Sequence, residues 1–410
     1  MKKKVVLAFS GGLDTSFCAM YLSREKNCEV YTALANTGGF SQAECRAIEE
    51  RACRLGAVKH VTLDVEQEYY AKSIRYMVFG NVLRNGTYPI SVSSERIFQA
   101  MAIIRYAAEI GADAVAHGST GAGNDQVRFD LTFEVLAPHI EIITPTRDMN
   151  LSREYEISYL KTNGYEADFA RMEYSVNKGL WGTSVGGKET LSSGLTLPDR
   201  AYPSPLQEQG EERLSIDFER GEICGVNGVR FTNGPEAIRK VEAIGSRWAI
   251  GRDMHVGDTI IGIKGRVGFE AAGALLIIHA HKLLEKHTLT KWQLYWKEQI
   301  GAWYGMFLHE AQYLEPVMRD MEAFLESTQQ RVTGRVWITL RPYSYALVGI
   351  ESKHDLMKSG LGVYGEEQKA WTADDVKGFT RILANPLKTY YRDESPERQT
   401  NGRTDEKETL

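Results

Sequence analysis

A chain of 410 residues, 43% hydrophobic and 25% charged, carries enough apolar surface for large cores and has the make-up of a soluble globular protein of two domains. A net charge of −5 argues against nucleic acid as a main partner, and no apolar run approaches membrane-spanning length. Cys18, Cys28, Cys45, Cys53 and Cys224 form no C-x-x-C pair and no metal-ligand spacing, so they read as reduced packing thiols of a cytoplasmic protein, with no protein-held metal expected. Met1-Lys2-Lys3-Lys4 has the charge of a secretory leader, but the apolar run behind it is too short for one.

Residues 5–9 read as a buried strand and residues 17–22 as the helix after it. Between them stands Ser10-Gly11-Gly12-Leu13-Asp14-Thr15-Ser16. A strand, a Gly-Gly turn and a helix start gather unpaired N–H groups around one concavity, with the positive end of the helix dipole pointing in. Glycine lets backbone approach an anion, Ser10, Thr15 and Ser16 add hydroxyl donors, and Asp14 accepts hydrogen bonds or helps to hold Mg²⁺. The loop fits a phosphate chain. It lacks the lysine of GxxxxGK[ST], which points to cleavage of ATP between its α- and β-phosphates rather than to γ-phosphate transfer. For the Gly-Gly pair alone, an ordinary capped turn is the alternative.

Further along, residues 29–35 read as a strand. Residues 41–56 read as a helix, with Cys45, Ile48, Ala52 and Leu55 at helical spacing and Gly56 as its stop. A strand at 60–65, a helix at 96–110 and strands at 113–116 and 141–145 continue the alternation. The expected fold class is α/β: a parallel, doubly wound nucleotide-binding sheet, followed by a second α+β domain and a C-terminal tail. A ligand then lies at the carboxyl ends of the strands, where Ser10, Asn36 and His117 fall. Residues 180–209, rich in Gly, Ser, Thr and Pro, are expected to form a long loop. Hairpin strands are expected at 213–218 with 221–231 and at 334–340 with 344–350, with long helices between the pairs. One short core helix at 275–278 is expected to end at His279 and His281. Trp292, Trp296 and Trp303 read as packing or subunit contacts. Residues 392–410 are charged and without aromatics, hence disordered or held by a neighbouring subunit. The expected divisions are 1–170, 171–385 and 386–410.

A second cluster, His117-Gly118-Ser119-Thr120-Gly121-Ala122-Gly123-Asn124-Asp125-Gln126-Val127-Arg128-Phe129, follows a buried strand. Its glycines free the backbone, Thr120, Asn124 and Asp125 offer polar groups of both kinds, and Arg128 can grip a carboxylate with two donors. A small zwitterion needs that mixture. A Gly-rich loop with a structural Asp and a surface Arg is the alternative.

The two clusters together resemble the argininosuccinate synthase family. Its Ala-x-Ser-Gly-Gly-Leu-Asp-Thr-Ser stands here as Ala8-Phe9-Ser10-Gly11-Gly12-Leu13-Asp14-Thr15-Ser16, and its Gly-x-Thr-x-x-Gly-Asn-Asp as residues 118–125. Leu34-Ala35-Asn36, Leu180-Trp181-Gly182 and Ile261-Gly262-Ile263-Lys264 also fit. The resemblance implies a ligase that joins citrulline and aspartate through a citrullyl-adenylate, with ATP as substrate and Mg²⁺ beside it, in a cytoplasmic homotetramer of arginine biosynthesis. By the same match, Ala8 to Ser16, Ala35 and Gly118 contact ATP. Thr120, Asn124 and Asp125 hold aspartate, while Tyr88, Ser93, Asn124, Arg128, Ser175 and Ser184 hold citrulline.

Three departures stand out. Ala122 replaces a lysine, and Asn177-Lys178-Gly179 replaces Asp-x-Asn. Gly257-Asp258-Thr259 aligns with a Glu-Asn-Arg run whose Glu accepts from the citrulline ammonium, and Phe269 replaces a tyrosine. Losing that carboxylate costs roughly 1.5–3 kcal/mol. Either Asp258, Glu270 or another acid takes over, or the α-nitrogen carries no charge. Free citrulline is the expected substrate, with an N-acylated citrulline as the alternative. A non-catalytic nucleotide sensor is the rival of another class, and tRNA-thiolating or amidating relatives lack support in the absence of paired cysteines or a glutaminase domain.

Overall fold

The computed structural model describes residues 2–166 and 174–392. They fall into two compact units, divided after Asp355. The first unit opens with β1 (Lys4–Ala8), α1 (Leu13–Arg24), β2 (Glu29–Asn36), α2 (Gln42–Arg54) and β3 (Lys59–Asp64). A broken helical segment follows, α3 (Glu66–Tyr69), a π-helical stretch (Tyr70–Ile74) and α4 (Arg75–Phe79). Then come α5 (Ser91–Glu109), β4 (Ala114–Ala116), α6 (Asp125–Leu136), β5 (Glu141–Ile143), α7 (Pro145–Asp148) and α8 (Arg153–Thr162).

The five strands form one parallel sheet in the order β3-β2-β1-β4-β5, with Val5 lying between Val30 and Ala114. Successive side chains of a strand face opposite ways. Val5, Leu7 and Phe9 accordingly pack with Phe17, Met20, Ile48 and Leu160 from α1, α2 and α8. Val6 and Ala8 pack with Ala100, Ile103, Ile104 and Phe133 from α5 and α6. Both faces are covered, as the expected doubly wound sheet requires. The chain leaves β1 toward β2 on one side and later adds β4 on the other, so the end of β1 is the switch point at which open α/β sheets bind ligands. Helix α2 starts as expected, with a reciprocal cap between Ser41 and Glu44. Helix α5 starts earlier than expected, at Ser91, because Ile90 turns the chain in a left-handed conformation (φ 48°) just ahead of a serine-rich first turn. The period of the apolar residues becomes visible only after that turn.

Two antiparallel sheets complete this unit. β6 (Ser175–Gly179) and β7 (Gly182–Gly186) join β11 (Arg252–Asp258) and β12 (Lys264–Glu270) in the order β11-β12-β7-β6. Strands β8 (Glu212–Glu219), β9 (Glu222–Val226), β10 (Val229–Arg230), β13 (Gly334–Arg341) and β14 (Ser344–Glu351) form the other, with α9 (Gly234–Arg247) and α10 (Ala272–Thr288) between them in sequence. The chain also contains α11 (Lys291–His309) and α12 (Val317–Thr328). Three expectations are corrected. β7 occupies part of the stretch expected to be a loop, and the β11–β12 hairpin interrupts a stretch expected to be helical. These strands are rich in Gly and charge, so their apolar period is faint. Helix α10 does not end at the histidines but runs through both. The His279 ring meets the Tyr345 hydroxyl, and His281, wholly buried, spans the Asn81 and Gln329 side chains.

The second unit holds a short hairpin, β15 (Gly362–Val363) with β16 (Glu367–Gln368), then α13 (Ala373–Leu383) and α14 (Asn385–Arg392). Neither helix buries a residue. The expected boundary at 170/171 and the tail beyond Arg392 lie outside the described residues. Among the described residues, no helix is long and apolar enough to cross a membrane.

Candidate active site at the carboxyl edge of the parallel sheet

The phosphate loop caps the end of β1. Gly11 adopts φ +75°, a conformation that L side chains rarely take, and its carbonyl accepts from the Arg51 guanidinium. Gly12 precedes α1 in extended conformation, and no side chain caps the helix, so its first-turn N–H groups face outward. The Ser16 hydroxyl is buried without a partner among the described residues, as a donor reserved for a ligand would be. Ala8, Phe9, Leu13 and Ala35 bury their side chains and offer a ligand only backbone. Beneath the loop lies buried Glu156, which accepts from the Thr146 hydroxyl at 2.9 Å. Burial, then the Asp14 charge beside it, pushes Glu156 up to about 8. Burial also pushes the Cys18 thiol up to about 12, which makes it an inert packing group, whereas Cys53 is exposed. At the ends of β2 and β3 opens a cavity of about 370 Å³, lined in part by Asn36, Phe40, Thr62 and Asp64.

The second loop touches the first. A β-carbon on Gly118 would stand 3.0 Å from the Asp14 carbonyl carbon and 3.1 Å from the Thr15 nitrogen. A side chain there would crowd the first loop's backbone and require it to give way. His117 anchors the loop: its Nδ1 accepts from Ser119 N–H at 3.2 Å, so Nε2 carries the proton and donates to Asp130 at 2.8 Å. Gln126, which sequence reasoning did not single out, closes the loop by donating to the Gly121 and Gly123 carbonyls. Thr120 is exposed at its rim. Ala122 leaves the loop without a lysine, but the Arg147 stem lies 3.7 Å from where a β-carbon on Gly121 would be.

Asn124 and Asp125 begin α6. Asn124 Oδ1 accepts from Ile260 N–H at 2.9 Å, which ties this loop to the β11–β12 turn. Asp125 accepts from Arg96 at 3.0 Å and from Arg128 at 2.9 Å. Burial raises its pKa, but the two guanidinium groups outweigh that and hold its carboxyl below the usual range. Arg128 also donates to Ser93 Oγ at 3.0 Å and to the His309 carbonyl at 3.1 Å, leaving its buried Nε without a partner among the described residues. Ser93 lies in the first turn of α5 and Tyr88 just before it. Tyr88 stacks on His255 of β11, with ring centres 5.0 Å apart, and meets Phe269 of β12 at 5.3 Å. Ser184 of β7 stands opposite Phe269 on one side and Asn177 of β6 on the other, and Arg96 donates to Asn177 at 3.1 Å. Tyr88, Ser93, Arg128 and Ser184 are therefore linked through one cluster. Ser175 lies apart, exposed on the edge strand β6.

Neither acid expected to replace the missing glutamate is free. Glu270 is buried and accepts from Arg252 at 2.9 Å, while Asp258 is largely exposed and paired with Lys264 at 2.5 Å. Arg84 and His255, unnoticed in the sequence, border the vacated position instead. Only the folding of β11 against the loop before α5 brings them there.

The whole arrangement sets the glycine turn after β1 against a second, polar glycine loop. A family model described as the arginosuccinate synthase N-terminal HUP domain matches residues 4–166, and one for the arginosuccinate synthase C-terminal domain matches residues 174–390. The chain is 36% identical over 371 residues to the argininosuccinate synthase of Methanocaldococcus jannaschii, covering 90% of this chain and 93% of that one. It is 35% identical to that of Dictyoglomus thermophilum and 34% to that of Xanthomonas campestris, covering 93% of this chain and 96% of each relative. With the phosphate loop, the second glycine loop and both domain models in place, the chain belongs to the argininosuccinate synthase family.

Proposed function

We propose that the chain joins the ureido group of citrulline to the amine of aspartate, cleaving ATP to AMP and pyrophosphate, as a step of arginine biosynthesis. The observation that carries this reading is the contact between the two glycine loops, which sets an anion cradle against a pocket for amino acids. The ureido oxygen attacks the α-phosphorus, and the bond to pyrophosphate breaks. The aspartate amine then attacks the ureido carbon, AMP departs with the C–O electron pair, and the amine loses a proton. Positioning is the main task, and no protein nucleophile is needed. Residues 8–16, Ala35 and Gly118 take ATP. Thr120, Asn124 and Asp125 take aspartate, Asp125 also orienting Arg96 and Arg128. Tyr88, Ser93, Asn124, Arg128, Ser175 and Ser184 take citrulline, with Arg128 and Ser93 on its carboxylate.

Mg²⁺ suits this site as a companion of the nucleotide. It favours one or two carboxylates plus substrate phosphates, and Asp14 supplies a carboxylate at the loop. Its chemistry there is to neutralise charge on the departing pyrophosphate. In the same reading residues 1–170 bind ATP, residues 171–385 bind the amino acids and assemble subunits, and 386–410 form a tail, in a cytoplasmic homotetramer. The test is pyrophosphate release. The chain should release it only when ATP meets citrulline or an N-acyl form of it, and Gly118→Ala should lower the rate by about 100-fold by forcing the loops apart. ATP binding without release under any of these conditions would mean a nucleotide sensor.

A further inference from the structure

Gly257, where the resemblance puts an ammonium-binding glutamate, is buried near the end of β11. A β-carbon there would stand 2.6 Å from His255 Nε2 and 3.6 Å from Arg84 Nε. A guanidinium thus borders the place from which a carboxylate would project. Arg84 reaches it from a tight turn before α5, in which Arg84 and Tyr88 exchange backbone hydrogen bonds. The turn docks on the edge of the sheet: Asn85 donates to the Val256 carbonyl at 3.2 Å and Arg84 to the Asp258 carbonyl at 3.1 Å. The Arg84 side chain is only 8% exposed, yet its Nε has no partner among the described residues. The Arg128 Nε in the same cluster is also buried and unpartnered among the described residues.

The surroundings are electropositive. Burial, then Arg84, pushes His255 down to about 4, and burial, then Arg128 and Arg84, pushes His309 down to about 3. The buried acids named at this end already face cations, while Asp253, whose charge also acts on His255, is exposed at the start of β11. Asp258 pairs with Lys264, Glu270 with Arg252 and Asp125 with Arg96 and Arg128. Glu310 sits 3.1 Å from His309 and 3.7 Å from Arg84. An ammonium brought here would meet a guanidinium, and among the described residues the buried carboxylates beside it are already paired. A neutral amide would offer Arg84 Nε only an uncharged carbonyl oxygen. A carboxylate would satisfy it with a charge-assisted hydrogen bond.

We propose that the citrulline used by this chain carries on its α-nitrogen an acyl group ending in a carboxylate, of the N-succinyl class, and that Arg84 is the residue that selects it. This rests on the ligase reading above. The amide removes the ammonium for which the family keeps its glutamate, and the distal carboxylate takes the unpaired Arg84 donor. Phe269 and Tyr88 give the acyl chain an apolar flank.

The experiment compares kcat/KM for citrulline, N-acetylcitrulline and N-succinylcitrulline, read as pyrophosphate release at saturating ATP and aspartate. The expected order is succinyl over acetyl by about 10- to 100-fold, with free citrulline lowest. In Arg84→Met the succinyl-to-acetyl ratio should fall toward one. A ratio taken within one preparation does not depend on how much of it is folded, and the native preference decides the matter even if the variant is insoluble. Equal use of acetyl and succinyl forms, a native preference for free citrulline, or an unchanged ratio in Arg84→Met overturns the proposal, while pyrophosphate release in those same assays upholds the ligase reading. No release with any of the three overturns both.

Discussion

Glu156 shows how the phosphate loop constrains its own foundation. Held near 8 when folded and near 4.5 when unfolded, it takes up a proton on folding between those values. Stability therefore falls as pH rises through that window, by up to about 1.4 kcal/mol per pH unit. Glu156→Gln keeps an acceptor for Thr146 and a donor for Asp14 but cannot ionise. Urea unfolding at pH 5 and pH 8 should show a flatter dependence in the variant, and an equal slope would mean that Glu156 does not titrate there. At this scale, sequence reasoning picked out only stretches that are contiguous in the chain. Gly11, Gly12 and Ser16 form a cradle with their neighbours, and so do Gly118 and Asp125. It failed for Arg84, Arg96 and His255, whose roles exist only where distant segments meet.

Among the elements, α10 and α11 are joined by a buried polar network. Lys297 of α11, wholly buried, donates to the Phe79 carbonyl at 2.6 Å and pairs with Glu285 of α10 at 2.9 Å. Asn81 and Gln329 supply the other donors to Glu285. Lys297→Met strands a buried carboxylate and should cost about 3–5 kcal/mol in urea unfolding, much of which Glu285→Leu in the same chain should restore. A loss below about 1 kcal/mol in Lys297→Met would show that water reaches Glu285. The parallel sheet was legible because continuous apolar runs alternate with helical stripes closed by Gly56 and Gly111. The strands β6, β7, β11 and β12 were not, since GTSVG or RDMHVGD carries few large apolar side chains to mark a period and owes its pairing to neighbours remote in sequence.

Across the molecule, large apolar side chains lie in water. Trp292, Tyr295, Trp296 and Trp303 are each more than half exposed on α11, as are Phe379, Ile382, Leu387 and Tyr390 on α13 and α14. Such stripes fit the contacts between copies that the proposed tetramer requires. Light scattering should give a mass roughly four times 46.1 kDa for the intact chain and a smaller one for Trp296→Glu or Phe379→Glu. A monomer for the intact chain would refute the tetramer. One further trait follows from β11 being an edge strand. On the proposed reading, the wall facing the α-nitrogen hangs from a sheet margin and a short turn, while the phosphate loop belongs to another sheet. Mutations can therefore redraw which ureido acid is accepted without passing through an inactive catalyst. Substrate choice is an evolvable module, and lineages sharing this scaffold can part ways at Arg84 and Gly257 while inheriting the same chemistry.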